Sequence, residues 1–428
     1  MAKYIKNYET LATTQERKLI LDLIDTAINA IQPEEVISNH FTINNDTLYV
    51  QNKRFNLQDF QRIFLLGFGK GSGEISFLVE KVLGNRLTAG YVIDAKEQKF
   101  NKAEFILGTH PLPSKANLDF TQQVLDKLSG LEKTDLVIII TCGGGSVMFE
   151  KPHSLNLEQL IDFNQALLHA GANIHDMNVM RKHVSKVKGG SLAAHLYPAT
   201  VINLVFSDVP GDDLSVIASG PLVKDNSTVG EAWDLFIKFK INEAIKLKER
   251  NFFETPKDDK YFSNVHNVLM DTNMTAMKKM QDLARERNVN VQIYSNSFQS
   301  DADSAGKKLI DVTPDNTILL AGGETTVKVR GKGGEGGRNQ ELVLAALPYL
   351  GENITIAAFD SDGWDNSPIA GAIGDKQTLI KAREKNDDPQ AFLQRHNSSP
   401  FFKDVGDAII TDRLSSNVSD LIIIYRKV

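Results

Sequence analysis

The apolar positions of this chain follow two rhythms. Between Thr13 and Pro33, residues Leu19, Ile20, Leu23, Ile24, Ile28 and Ile31 recur at helical steps, which predicts a helix with one apolar face. Thr13-Thr14-Gln15-Glu16 offers a capping-box start, and Pro33 a stop. Further along, the pattern becomes short and nearly continuous: Ile63–Leu66, Tyr91–Ile93, Leu136–Ile140, Val201–Phe206, Val289–Tyr294, Ile318–Leu320, Ile354–Phe359 and Leu421–Tyr425. Such β-branched runs predict strands buried on both faces. Helical stretches, among them Leu118–Leu128, Leu157–Ala170 and Thr272–Arg287, separate many of them. The alternation predicts an α/β fold of largely parallel sheets covered by helices, with ligands beyond the carboxyl ends of the strands.

Length divides this pattern in two. A chain of 428 residues with 42% hydrophobic content exceeds one domain of about 100–200 residues. The charge-rich stretch Ile241–Tyr261 is the candidate connection, competing with a solvated helix and loop inside one domain. The expected domains are 1–250 and 251–428.

Charge and cysteine content narrow the class. The net charge of -6 provides no basic field for nucleic acid, so the cluster Arg181-Lys182-His183 needs a local reason. The single cysteine, Cys142, excludes a disulfide framework and a multi-cysteine zinc site within one chain. No apolar run reaches the roughly 18 residues of a membrane span. The start, MAKYIKNYET, lacks the apolar segment of a secretory signal. A cytoplasmic protein with no nucleic-acid or membrane partner is expected, and a homodimer is compatible with this reading.

Glycine- and aspartate-rich segments follow several predicted strands. Gly67-Phe68-Gly69-Lys70-Gly71-Ser72-Gly73 is not a P-loop, because Phe64 stands where the first glycine should be. Its G-x-G-x-x-x-G spacing is one residue longer than a dinucleotide fingerprint. Lys70 is placed to pair with a phosphate; the competing reading is a tight turn with an exposed lysine. Thr141-Cys142-Gly143-Gly144-Gly145-Ser146 fits an anion nest, with Cys142 read as a small buried residue rather than a nucleophile. In Ser207-Asp208-Val209-Pro210-Gly211-Asp212-Asp213, clustered carboxylates suit Mg²⁺, or alternatively an Asx turn and helix cap. In Ala321–Glu341, Gly322-Gly323-Glu324 follows a strand. A glycine-rich loop there carries Lys332 and Arg338, the latter able to bind phosphate or carboxylate bidentately. Asp360-Ser361-Asp362-Gly363-Trp364-Asp365 is rejected as an EF-hand because Gly371 stands at its twelfth position. An active-site acid or a plain turn remains.

Taken together, GGETTVKVRGKGGEGGRNQE, MNVMRKHVSKVKGG and SDVPGDDLSVIASGP resemble the glycerate kinase family whose C-terminal part is called MOFRL. The resemblance spans about Ile63 to Tyr425. It implies an N-terminal Rossmann-like domain, a second α/β domain of MOFRL type, and an active site in the cleft between them. It also implies phosphorylation of D-glycerate from ATP with Mg²⁺, commonly to 2-phosphoglycerate. By the same resemblance, Lys70 is the strand-end lysine, proposed to act at the phosphates. Arg338 is the RNQE arginine, Gly143–Ser146 the GGGS loop, Asp208 and Asp212 the SDV-x-GD acids, and Lys188-Gly189-Gly190 the KGG element.

The chain departs from the family pattern in places. G-H-P-x-P-D ends here in Ser114, KGG is followed by Ser191, and the DGPT-like segment is Asp365-Asn366-Ser367-Pro368. The TGPTGTNVND-like stretch, Thr411–Asp420, has lost its glycines, so its backbone is expected not to approach a ligand in the same way. The leading expectation is phosphoryl transfer to a small hydroxy acid. Lys70 and Arg338 would act at the phosphate or substrate carboxylate, Asp208 and Asp212 at Mg²⁺, and Asp362 at the substrate hydroxyl. Gly69, Gly143, Gly144, Gly145, Ser146, Lys188, Gly189, Gly190 and Glu324 complete the expected ligand-binding set. Alanine at Lys70 or Arg338 is expected to cut turnover by orders of magnitude with the fold intact. The alternatives are a binding protein without turnover and an oxidoreductase acting on hydroxypyruvate. Asp94 lies late for the ribose acid the last would need.

Overall fold

The structure, a computed structural model, describes residues 4–329 and 331–428. Met1–Lys3, part of the stretch read as carrying no secretory signal, and Arg330, inside the glycine-rich segment, lie outside the described residues. The apolar runs named above all fall in strands, with ends displaced by a few residues. The chain divides into two compact units.

One unit comprises Val36–Ser207 and Asp212–Met270. Its six-stranded sheet runs in the order Ala103–Leu107, Ala89–Asp94, Arg62–Phe68, Asp135–Thr141, Thr200–Phe206, Val265–Asp271. The first five strands pair in parallel. Alternate residues face opposite cores: Phe64 and Leu66 pack with Phe120 and Val124 of one helix, Ile63 and Leu65 with Ile75 and Val79 of another. Helices therefore cover both faces, as the uninterrupted apolar runs require. The charge-rich stretch is no connection between units. Its Ile241, Ile245, Leu247 and Phe252 join a helical core with Phe163 and Phe236.

The other unit comprises the N-terminal segment to Glu35, Asp208–Gly211 and Asp271–Val428. Its sheet order is Asn290–Phe298, Thr317–Gly323, Asp420–Arg426, Ile354–Asp360, Gly371–Gly374, Ala408–Ile409. Only the first pair is parallel, because Asp420–Arg426 returns from the end of the chain to the sheet centre, antiparallel to both neighbours. Largely parallel pairing thus fails for this sheet, although its α/β layering holds.

The expected division at residue 250 is corrected by the first helix. Gln15–Ala30, capped by the Thr14 side chain, buries Leu19, Ile20, Leu23 and Ile24 with Ile318, Leu320 and Ile423 of the second sheet. Arg17 fastens it there. The Arg17 side chain is fully buried, with its guanidinium bonded to Asp375 at 2.6 and 2.8 Å, to Asp407 at 2.6 and 3.1 Å, and to the Thr378 hydroxyl. Arg17→Ala would strand two buried carboxylates. A loss of about 3–5 kcal/mol in urea unfolding is expected. A change within error would show that this network does not hold the helix.

Candidate functional site

In the parallel-sheet unit, the candidate residues gather at the carboxyl ends of neighbouring strands. The Arg62–Phe68 strand turns through Gly69-Lys70-Gly71 into the helix Ser72–Leu83. Asp135–Thr141 turns through Cys142-Gly143-Gly144 into a short helical turn, Gly145–Met148. The two loops are stitched together by the Lys70 amide, which donates to the Gly143 carbonyl at 2.8 Å. Gly69 has φ +105°, and a side chain there would sit 2.5 Å from the Cys142 carbonyl oxygen. Its glycine therefore serves the loop crossing.

This crossing leaves polar groups exposed at the strand ends. The Lys70 side chain is exposed and has no hydrogen-bond or ion-pair partner among the described residues. The amides of Gly143 and Gly144 donate to no group among the described residues. Gly144 has φ +76°, and a Cβ there would meet His110 Cδ2 at 2.9 Å and approach Lys70 Cγ at 3.4 Å. His110 is pulled below its usual range by burial and then by the Lys70 charge. No sequence signal beyond the altered G-H-P-x-P-D motif pointed to it. Ser146, just beyond, shares a 3.4 Å contact with the hydroxyl of Ser219. Cys142 is buried, in keeping with the packing reading.

Asp94, at the end of the adjacent strand, holds the first loop in place. It is buried, and its carboxylate accepts from the amides of Gly73 at 2.9 Å and Ala95 at 2.6 Å. An acid engaged by its own loop is a poor ribose ligand, which removes the chief support for a dinucleotide reading.

The KGG element is structural. Lys188 is 2% exposed and ion-paired with Glu150, which also accepts from Ser185 at 2.7 Å. Burial pulls the ammonium down, and the touching carboxylate works against that pull. The Gly189 and Gly190 amides donate to the carbonyls of Ser219 and Gly220 at 3.1 and 2.8 Å. None of these groups is presented to a ligand, contrary to expectation.

The expected metal acids are not brought together within either unit. Asp208 is grouped with Asp271–Val428, and Asp212 with the parallel-sheet unit. Asp212 is partly buried and raised by that burial, while a hydrogen bond from Ser207 lowers it. Among the described residues, no group of three or more His, Cys, Asp or Glu forms a metal cage. Asp208 and Asp212 are carboxylate oxygen donors of the kind a hard cation such as Mg²⁺ takes beside phosphate oxygens.

In the second unit the strand register assembles a charged cluster. Asp360 and Gly323 both lie opposite Asp420 on its two flanking strands. Glu324 follows Gly323 directly. Arg338, at the start of the helix Arg338–Ala346, reaches over these ends. Its Nε and Nη2 hold Asp420 at 2.6 and 3.0 Å, its Nη1 holds Glu324 at 2.7 Å, and Asp360 lies at 3.6 Å. Asp420 is pushed up by burial, which Arg338 opposes. Asp360 is pushed well above the carboxylate range by burial, then by Asp420 and Asp362. Asp365 is buried and accepts from the amides of Asn339 and Gln340, capping the helix that carries Arg338.

Arg338 and Glu324 thus meet, as expected of one site, but they meet each other. Asp362 supports a turn: its carboxylate accepts from the Trp364 amide at 2.9 Å. Asp360, Asp365 and Asp420 were missed as a cluster, although two of them sit at ends of apolar runs. Beside the cluster lies a cavity of about 580 Å³ lined by Thr325, Gly333, Gly337, Arg338, Trp364 and His396. The glycine-poor stretch Thr411–Asp420 keeps a left-handed backbone nonetheless, with φ +68° at Asp412 and +71° at Ser419. Asp tolerates that region better than most residues, so loss of glycine there did not remove the conformation. No helix among the described residues is long and apolar enough to cross a membrane.

Strand-end glycine amides beside an unpaired lysine, in a helix-covered parallel sheet, mark an α/β protein built to handle phosphorylated ligands. Comparison with known proteins agrees. The profile of a domain of unknown function, DUF4147, matches residues 19–254, and that of the MOFRL family matches 317–420. A glycerate 2-kinase of Pyrococcus horikoshii is 33% identical over 95% of this chain and 96% of its own. A D-glycerate 2-kinase of Thermotoga maritima is 32% identical over 95% and 97%. The crystal structure of a Thermotoga maritima glycerate kinase superposes with a TM-score of 0.85 at 31% identity, covering 96% of this chain and 99% of that one. The chain belongs to the glycerate kinase family.

Proposed function

We propose that this enzyme transfers the terminal phosphoryl group of ATP to a hydroxyl of D-glycerate, giving 2-phosphoglycerate. The observation that carries the reading is the exposed, unpartnered Lys70 beside the acceptor-free amides of Gly143 and Gly144. Phosphoryl transfer is mostly positioning and charge neutralisation, and these donors suit the charge that develops on the transferring group. Lys70 neutralises the phosphate oxygens, and the two amides cradle them. Asp208 or Asp212 would be the carboxylates to hold a Mg²⁺ bound with the nucleotide, which would neutralise further phosphate charge. Arg338 acts chiefly by holding its carboxylates in place, since Asp420 and Glu324 already occupy its Nε, Nη1 and Nη2 groups.

The test is ADP release over a panel of three- and four-carbon hydroxy acids, with the product position read by phosphorus NMR. D-glycerate is expected to give the fastest turnover, and the product signal that of the 2-phosphate. No ADP with any acid, or oxidation of reduced nicotinamide by hydroxypyruvate, would overturn the reading.

A further inference from the structure

Two members of the basic cluster Arg181-Lys182-His183 are accounted for by packing. Lys182 pairs with Asp225 at 3.1 Å. His183 sits between the Phe253 carbonyl at 2.8 Å and the Ser227 hydroxyl at 3.2 Å. Arg181 differs. It lies on the same helix, Ile174–Val184, and its Nε donates to Asn164 Oδ1 at 3.0 Å. No carboxylate among the described residues pairs with it. Burial pulls its guanidinium down, and no acid offsets that pull. Arg181 is partly buried with no acid beside it, so an anion would meet an unmatched guanidinium there.

One turn earlier on the same helix face is Asn178, which is 3% exposed. Its Oδ1 accepts from Ser219 Oγ at 2.8 Å, while its Nδ2 is buried with no hydrogen-bond partner among the described residues. Turning the amide round would only exchange the orphan, leaving the oxygen unbonded instead. The Ser219 hydroxyl lies 3.4 Å from that of Ser146, in the loop that carries Gly143 and Gly144. Polar groups therefore run from the loop beside Lys70 to Asn178, which lies one helical turn from Arg181. Every member is a donor, or a hydroxyl able to become one. All belong to the parallel-sheet unit.

We propose that Arg181, Asn178, Ser219 and Ser146 form an oxyanion subsite that takes the carboxylate of the acceptor hydroxy acid. A planar guanidinium fork matches a carboxylate, and a carboxylate supplies both the missing counter-charge and an acceptor for the orphan amide. The subsite adjoins the loop at which the phosphate is proposed to bind. In a 2-hydroxy acid the reacting hydroxyl is one carbon from the carboxylate, so the two anion sites must be neighbours. This inference rests on the kinase reading above. A nucleotide phosphate has the same chemistry, and the test separates the two sources.

Steady-state kinetics with ATP and D-glycerate are compared for the wild type, Arg181→Ala and the near-isosteric Asn178→Asp, which sets a carboxylate against the substrate's own. The expected result is a rise of about 10- to 100-fold in KM for glycerate in Arg181→Ala, with KM for ATP within twofold. Asn178→Asp is expected to raise KM for glycerate likewise, and its thermal transition guards against misfolding as the cause. Glyceramide, the neutral amide of the substrate, is expected to react equally slowly with wild type and Arg181→Ala. A raised KM for ATP instead would reassign the subsite to the nucleotide and overturn the proposal, as would unchanged constants in both variants. Wild-type kinase activity is read in the same experiment, so failure of the parent reading is seen separately.

Discussion

Replacing Arg338 by alanine is expected to cost about 3 kcal/mol of stability, so that lost activity in this variant would not by itself mark a catalytic role. Arg338 is the cation set among Asp420, Asp360 and Glu324, and Asp420 is only 1% exposed. Removing one partner of such a group leaves uncompensated buried charge. The estimate sits at the low end because the arginine side chain is itself 29% exposed. Two consequences distinguish this from loss of a ligand contact. Arg338→Ala combined with Asp420→Asn should recover much of the unfolding free energy, because the stranded charge goes with the arginine.

The deficit should also depend on pH. Burial and neighbouring acids raise Asp360 and Asp420 in the folded state. Groups raised by folding favour the native state at low pH and penalise it as pH rises through their folded values. Without Arg338 this penalty grows, so the destabilisation should be larger near pH 8 than near pH 5. Urea titrations of the single and double variants at both values test this. A destabilisation that is independent of pH and not relieved by Asp420→Asn would remove Arg338 from its structural role.

This alters what the sequence alone suggested for Arg338, and the reason is general to the fold. A bidentate arginine after a glycine-rich loop is legible in one dimension. Its partners are not, because Asp360 and Asp420 become neighbours only through antiparallel register between strands 60 residues apart. The first helix shows the same limit. Its apolar spacing fixes that Leu19, Ile20 and Leu23 are buried, but not that they cover the sheet built from residues after 290. Ile241–Tyr261 looked like a connection because its charges outnumber its apolar anchors, yet Ile241, Ile245 and Phe252 suffice to dock it. Gly189 and Gly190 looked like ligand glycines, but their amides are taken by Ser219 and Gly220. What did carry through is what strand ends dictate locally: the apolar runs, the loops that follow them, and the lysine placed between Gly69 and Gly71.

Lys70→Ala is therefore the sharper probe of chemistry, with turnover expected to fall about a hundred- to a thousandfold while thermal stability stays put. Lys70 is exposed and has no partner among the described residues, so truncating it strands none of them and empties no core. Under the proposed role, only the transferring phosphoryl group would be left without its cation. An interaction that strengthens as charge shifts onto phosphate oxygens lowers kcat, whereas one made equally in the ground state raises KM alone. Lys70→Arg is expected to restore little. Its wider planar head must fit where Gly144 already lacks room for a Cβ against His110. The measurement is kcat under saturating ATP and glycerate beside a thermal melt of each variant. Wild-type kcat in Lys70→Ala would take Lys70 out of the reaction. An equal loss of kcat and of melting temperature would mean that this lysine, like Arg338, is chiefly holding the fold.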